Sequence, residues 1–333
     1  MTSWFAIHSD VSGQPVYYNE VTIATYRKAF IIYNPCAGKL RRNPDEFIAR
    51  AKRLLAGSGQ ETEAMPTTGP KTAAALARTC IDRGADLILV AGGDGTINEV
   101  INGAVHSDTA IGILPCGTAN VLATELGMGK RLEDAAKFVA QWKPTRISLG
   151  LLRCAGEEPR HFAMMAGAGL DAHIVYHISA RLKRSLGKVA YWISGFVHGM
   201  RILPELTVEA AGSQYRSSFT LASRVRNYGG DLEIARSITL LDHDFEVVLF
   251  KGVNPLLYVK YLTAVLLGKA EGMKGLTVLR TDSLKLSDPA DRRIYIQVDG
   301  EYVGRLPATI EIVPHSLTLL MPPDRTWTRL PTR

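Results

Sequence analysis

Cysteines are few in this sequence and none are paired. The four of them, Cys36, Cys80, Cys116 and Cys154, lie far apart. That spacing excludes a CxxC zinc set and a dense disulfide framework, and points to reduced thiols in a cytoplasmic protein. Long apolar runs are missing as well. The best stretch, VNPLLYVKYLTAVLLGKAEG, is interrupted by Pro255 and Lys260 and stops at Gly268 and Lys269, too short and too polar to span a bilayer. The opening MTSWFAIHSDVSG has neither a basic start nor a continuous apolar core, so it does not read as a signal peptide. Internal repeats are absent. Lys and Arg (39) outnumber Asp and Glu (32), for a net charge of +7, but they are scattered rather than blocked. Scattered charge argues against a nucleic-acid partner, while a mildly basic surface suits nucleotide phosphates or anionic lipid.

What is present is an ordinary globular composition, 46% apolar and 21% charged over 333 residues, enough for two domains. Residues 1–27 are weakly patterned and read as an N-terminal extension. From 28 to 145 strands alternate with helices. AFIIYNP (29–35) reads as a buried strand stopped by Asn-Pro. NPDEFIARAKRLLAG reads as a helix capped by Asn43, with Pro44 at its first position and Gly57 closing it. GPKTAAALARTCIDRG is a second helix, ADLILVAGGDG a strand covered on both faces, TINEVINGAV a third helix, and TAIGILPCGTANVLATELGM repeats strand, loop and helix. Such alternation predicts a doubly wound, three-layer α/β domain on a parallel sheet. Past Lys143-Pro144 short strand-like runs take over, including RISLGLLR, FEVVLFKG and RIYIQVDGE, with helical stretches at about 172–203 and 254–269. Residues 146–315 are therefore predicted to form an antiparallel β-sandwich, and the segment 316–328 to pack back onto the first domain.

Open parallel sheets bind ligands at the carboxyl ends of their strands. Three loops fall there: NPCAG (34–38), GGDGT (92–96) and PCGTAN (115–120). Their small residues and free N–H groups, two of them opening helices, suit a nucleotide phosphate. No GK[ST] follows, so this is not a P-loop. Asp94 is the odd member. A carboxylate among phosphates needs a divalent cation or its water shell between them, or else it braces the loop, and the residues leave both open. GAGLDA (167–172) matches a dinucleotide fingerprint, but no acidic residue follows at ribose distance and no βαβ unit continues, so a nicotinamide or flavin site is rejected. Asp171 in that stretch reads as a substrate or catalytic acid, or a helix cap. Asp242 and Asp244 read as a hard-cation pair or a turn. In QVDGEYVG the Asp-Gly predicts a hairpin turn, and its flanking Asp299 and Glu301 read as a presented general base or as plain turn residues.

Taken in order, NPCAG, TTGPKTA, GGDGTINEVINGA, PCGTANVLA, GAGLDA with LKRSLGKVAYWISG, NYGG and VDGE resemble the diacylglycerol kinase catalytic domain family, the lipid kinases that include sphingosine and ceramide kinases. GGDGT alone also occurs in NAD kinases, but the combination with PxGTAN and a late DGE belongs to the lipid kinases, and the likeness covers about 28–320. The resemblance implies an ATP-dependent lipid kinase with ATP and Mg2+ in the interdomain cleft. A soluble NAD kinase-like enzyme and a non-catalytic lipid-binding protein are the alternatives. By position, Asn34, Gly38, Thr67, Gly92, Gly93, Asp94, Gly95, Thr96, Asn98 and Thr118 would hold the nucleotide. Glu301 would be the general base, with Asp299 and Asp171 supporting metal and substrate. Asp94 would act through magnesium or the hydrogen bonds around the phosphates. The family's bacterial members often carry Asp-Asp-Gly, with a structural magnesium held by the second Asp and nearby carbonyls. Here LDHDF keeps only Asp242, with Asp244 at a carbonyl-donor position, which puts that metal in doubt. Cys36 and Cys116 stand in two phosphate loops, where a bulky thiol reagent is expected to inhibit. The implied partner is a lipid substrate at a membrane surface containing anionic lipid, reached by a cytoplasmic, peripherally associated protein. The basic and aromatic run 178–203, with Lys183, Arg184 and Lys188, is the expected docking segment. The lipid itself is not specified, and the oligomeric state stays open, a homodimer included.

Overall fold

The computed structural model describes residues 6–9, 15–17, 26–128, 141–169, 204–228, 232–252, 272–290 and 293–322, with single positions 132, 135, 139, 172, 257, 260, 261 and 264. Asp171, the docking run 178–203 and most of the helical stretch 254–269 lie outside the described residues. Two short strands, β1 (Ala6–Ser9) and β2 (Pro15–Tyr17), pair antiparallel at the start. The first α/β unit follows: β3 (Ala29–Tyr33), α1 (Pro44–Gly57), β4 (Thr62–Pro66), α2 (Ala73–Asp82), β5 (Leu87–Gly92), α3 (Asp94–Ala104), β6 (Ala110–Pro115) and the short α4 (Val121–Glu125). The four strands run parallel in the order β4-β3-β5-β6. All six residues of β5 are buried, as a strand covered by helices on both faces requires. In α1, the Asn43 side chain accepts the Glu46 N–H at 3.2 Å, and Ile48, Ala51 and Leu55 repeat at helical spacing to face the sheet. Helix α2 begins later than its sequence suggests. Lys71 takes φ 64°, and Glu99 of α3 accepts the N–H groups of Lys71 at 2.8 Å and Ala73 at 2.9 Å, capping the helix from outside.

The chain then enters β7 (Lys143–Cys154), β8 (Arg160–Phe162), β9 (Met165–Gly169), β10 (Leu206–Ala210), β11 (Ser213–Ser217), β12 (Phe219–Ser223), β13 (Asn227–Tyr228), β14 (Leu232–Glu233), β15 (Phe245–Phe250), β16 (Leu276–Thr281), β17 (Ser283–Ser287), β18 (Tyr295–Val298), β19 (Glu301–Arg305) and β20 (Ala308–Met321). Strands β16-β15-β12-β9-β18-β19 form one antiparallel sheet. It faces a layer built from β11-β10-β17-β20 with β7 and β8. Phe162 and Phe245 stack between the layers at 5.8 Å, among buried Leu152, Val247, Leu284, Ile296 and Ile310. Each such side chain contributes about 1.5–3 kcal/mol by leaving water.

One ribbon joins the two halves. β20 pairs antiparallel with β7 from Ala308↔Cys154 to Met321↔Lys143, with a register shift between Val313 and Leu317. Before the shift β20 also pairs with β17, and after it Thr318 and Leu319 pair parallel to Ala110 and Ile111 of β6. The shift lets one strand serve a sandwich sheet and a parallel sheet of different twist. The change of texture at residue 143 marks the start of β7, but sheet hydrogen bonding runs straight through it, so the two halves share a continuous backbone frame.

Candidate active site

The three small-residue loops converge at the carboxyl ends of β3, β5 and β6. Asn34 is fixed at the end of β3. Its N–H donates to Ala91 O at 3.0 Å, its Oδ1 accepts the Cys36 N–H at 2.9 Å, and its Nδ2 donates to Thr96 Oγ1 at 3.3 Å. Gly38 lies over the third loop, where Lys39 N–H donates to Cys116 O at 3.1 Å and Lys39 Nζ to Pro115 O at 3.0 Å. Thr67 closes β4 through its N–H to Tyr33 O at 2.8 Å. Gly93 and Gly117 stand back to back: a Cβ on Gly117 would come within 2.5 Å of Gly93 Cα, so the second and third loops touch only because both lack side chains. Gly92 is as tightly held against the Thr96 side chain. Thr118 is exposed at the rim. The N-terminus of α3, eleven residues long, opens into this cluster and supplies the favourable end of its dipole.

Asp94, at the first position of α3, reaches across to α4. Its Oδ1 accepts the Val121 N–H at 2.9 Å, and the amides of Asn120 and Leu122 also bear on it. Burial pushes its pKa up, against the pull of those amides. The geometry makes Asp94 a brace tying the second loop to α4. Of the two roles left open for Asp94, the brace is the one these hydrogen bonds display.

The hairpin expected at Asp-Gly is present between β18 and β19. Asp299 (φ 49°) and Gly300 (φ 81°) carry the two left-handed conformations of a two-residue turn. The Asp299 carboxylate is buried and spent on N–H groups: Met165 at 2.9 Å, Met164 at 3.2 Å, Ala163 at 3.4 Å and Asn98 Nδ2 at 2.8 Å. Burial pushes its pKa up to about 6, which the four donors only partly oppose. Asp299 therefore positions the turn, with both of its oxygens taken up by N–H donors, so that any support it gives the site passes through Asn98 and the 163–165 backbone. Glu301, one residue past the turn, is different. Its side chain is 40% exposed, and it reaches the first turn of α3, where a methyl on Gly95 would overlap its Oε1. Its other oxygen is ion-paired with Arg160, whose Nε donates to Asn98 Oδ1 at 3.0 Å. Asn98, almost fully buried, also donates to His161 O at 3.0 Å. A polar circuit Asp299–Asn98–Arg160–Glu301 thus binds the hairpin to the helix that leaves the GGDGT loop.

Sequence reasoning missed two residues here. Arg160 opens a short strand in no recognisable motif, and only the fold brings it to Glu301. Glu125 is a fully buried carboxylate on α4 that accepts from Arg226 N at 3.1 Å, Arg226 Nε at 3.2 Å, Asn227 N at 3.3 Å and Asn227 Nδ2 at 2.8 Å. It ties the PCGTAN loop to the sandwich. Its acidic character in an otherwise apolar helix was the available signal.

Asp242 and Asp244 do not join this cluster. They lie in the turn before β15, engaged by Arg280. Among the described residues no three His, Cys, Asp or Glu side chains converge as a metal centre requires. Cys36 is exposed, but Cys116 is fully buried and its thiol is pushed up to about 12, so the reactivity expected of both loops belongs to Cys36 alone.

The comparisons with known proteins meet this geometry. The diacylglycerol kinase catalytic domain profile matches residues 28–152, and the YegS C-terminal NAD kinase beta sandwich-like domain profile matches 164–321. A diacylglycerol kinase of Bacillus subtilis (strain 168) is 28% identical, covering 90% of this chain and 98% of its own. One from Staphylococcus haemolyticus (strain JCSC1435) is 26% identical over 89% of this chain and 88% of its own. The crystal structure of a diacylglycerol kinase from Bacillus anthracis str. Sterne shares the fold with a TM-score of 0.72 at 20% identity, over 90% of this chain and 99% of that one. With both halves matched in order, the chain belongs to the diacylglycerol kinase catalytic domain family, a family of lipid kinases.

Proposed function

We propose that this kinase transfers the γ-phosphate of ATP to the hydroxyl of a diacylglycerol-like or sphingoid-type lipid, with Glu301 as general base. The observation that carries the reading is the contact of the Glu301 carboxylate with Gly95 in the first turn of α3. A base there stands beside any phosphate received by the three loops. In the step proposed, the lipid hydroxyl gives its proton to Glu301 and its oxygen forms a bond to the γ-phosphorus. The bond from that phosphorus to the bridging oxygen breaks, and its electron pair leaves on ADP. Asn34, Thr96 and the loop amides hold the phosphates, Asp94 keeps the second loop against α4, and Arg160 holds Glu301 in line. Phosphoryl transfer depends mainly on positioning and charge neutralisation, so this sparse set is adequate. Magnesium would enter with the nucleotide phosphates and would neutralise their charge, since among the described residues no three acidic, His or Cys side chains converge to hold it.

The reading includes docking on an anionic membrane surface from the cytoplasmic side. Among the described residues no helix is long and apolar enough to cross a bilayer. The test is phosphorylation by ATP and magnesium of vesicles carrying diacylglycerol, ceramide, sphingoid base or phosphatidylglycerol, with NAD as the soluble acceptor in parallel. One lipid is expected to accept phosphate, and Glu301→Gln to lower turnover by about 10²–10⁴-fold with ATP binding nearly intact. Near-wild-type turnover in that variant refutes Glu301 as base. Transfer to NAD without vesicles refutes the lipid reading.

A further inference from the structure

The loop 237–244 is where the family resemblance implies a structural magnesium, held by a carboxylate and backbone carbonyls. A hard cation takes six or more oxygens at such a site. Among the loop's oxygens are the carbonyls of Leu240 and Asp244 and the carboxylates of Asp242 and Asp244. Each is already engaged by an N–H or O–H donor. Arg224, at the end of β12, is fully buried and donates Nη2 to Leu240 O at 2.9 Å and Nη1 to Asp244 O at 3.2 Å. Arg280 on β16 donates Nε to Asp244 Oδ2 at 2.8 Å, pairs through Nη2 with Asp244 Oδ1, and donates Nη1 to Ser237 O at 2.7 Å. Its Nη2 also lies 3.4 Å from Asp242 Oδ1. Asp242 Oδ2 accepts from Thr239 N at 2.7 Å and Thr239 Oγ1 at 3.0 Å.

We infer that Arg224 and Arg280 are internal cations standing in for the structural metal, so that this loop is held by two guanidinium groups and needs no divalent ion. Two positive charges face two carboxylates, leaving no charge for a further cation to neutralise, and an incoming one would meet both guanidinium groups at contact range. Burying Arg224 is costly, and its Nε has no hydrogen-bond partner. Burial lowers its pKa to about 10, with Asp242 and Asp244 pulling the other way, so it keeps its charge at neutral pH. A buried, charged arginine that spends both terminal nitrogens on carbonyls of one loop has no other visible use in the sandwich. Arg280 closes the outer side. Its guanidinium plane meets the Asp244 carboxylate two-to-two, the geometry that suits arginine and not a point charge.

The test is thermal melting of the full chain without nucleotide, which keeps the phosphate site from answering for this one. Wild type is expected to melt within about 1 °C in chelator and in millimolar magnesium or calcium. Arg224→Met fills the volume but removes the cation. It should lower Tm on the order of 10 °C in chelator and recover several degrees with divalent ion, by mass action on a newly opened oxygen site. Arg280→Gln, a milder change at a partly exposed position, should gain the same response and serves where Arg224→Met does not fold. Divalent stabilisation of the wild type that disappears in Asp242→Asn overturns the inference, because the metal would then be resident. So does a failure of every folded variant to gain a cation response.

Discussion

Replacing Gly95 with alanine separates what the fold needs from what the reaction needs. Gly95 lies in the first turn of α3 at φ below zero, so alanine is tolerated by the backbone and should raise helix stability by about 0.5–1 kcal/mol. The new methyl, however, overlaps Glu301 Oε1. The obstructing atom is the end of a flexible side chain that is 40% exposed, so the carboxylate can swing outward by about an ångström to reach ordinary van der Waals separation. Doing so strains or breaks its ion pair with Arg160, a partly exposed pair worth about 0–1 kcal/mol. The two stability terms nearly cancel, and urea denaturation should place Gly95→Ala within about 1 kcal/mol of wild type. Turnover should not cancel. A base displaced by about an ångström costs on the order of 10²-fold in kcat. Initial-rate phosphorylation of substrate vesicles at saturating ATP, beside the denaturation curve, reads both. A variant with kcat within threefold of wild type would show that Glu301 does no work where it stands. A stability loss of several kcal/mol would show that the backbone, not the side chain, yields to the methyl.

Arg160→Gln should lower kcat by roughly 10-fold or more with little change in KM for ATP, because the Glu301 carboxylate loses the guanidinium that positions it; a kcat equal to wild type would deny Arg160 its hold on Glu301. Asp299 has a folded pKa of about 6, above the unfolded value near 3.9, so the folded state binds the proton more tightly. Its contribution is therefore most favourable below about pH 4, declines by up to about 3 kcal/mol as pH rises to 6, and is flat above; melting curves of wild type and Asp299→Asn across that window should diverge accordingly. Glu125→Ala leaves buried N–H donors of Arg226 and Asn227 without an acceptor and should cost about 3–5 kcal/mol by urea denaturation. A bulky maleimide should label Cys36 quickly and leave Cys116 unlabelled in the folded protein, with ATP slowing the reaction at Cys36.

Much of this protein is written locally. The caps and periodicity of 43–57 determine α1, the unbroken apolar run at 87–92 determines a doubly covered parallel strand, and Asp299-Gly300 determines its hairpin, because each depends on neighbours within a few residues. The three loops at 34–38, 92–96 and 115–120 were legible for the same reason: strand ends and small residues mark where a parallel sheet receives an anion. Contacts made across long separations were not legible. Whether Asp94 bound metal or braced α4 depended on where Val121 came to rest, and whether Asp299 met substrate depended on four N–H donors drawn from residues 98 and 163–165. Arg160 reaches Glu301 across 141 positions, and Arg280 reaches Asp244 across 36. A side chain's charge is a property of the sequence, but the partner that neutralises it is chosen by the packing of the sheets. The sequence by itself determined the strands, the small-residue loops and the acids available, and the tertiary structure alone decided which acid stays partly exposed beside those loops.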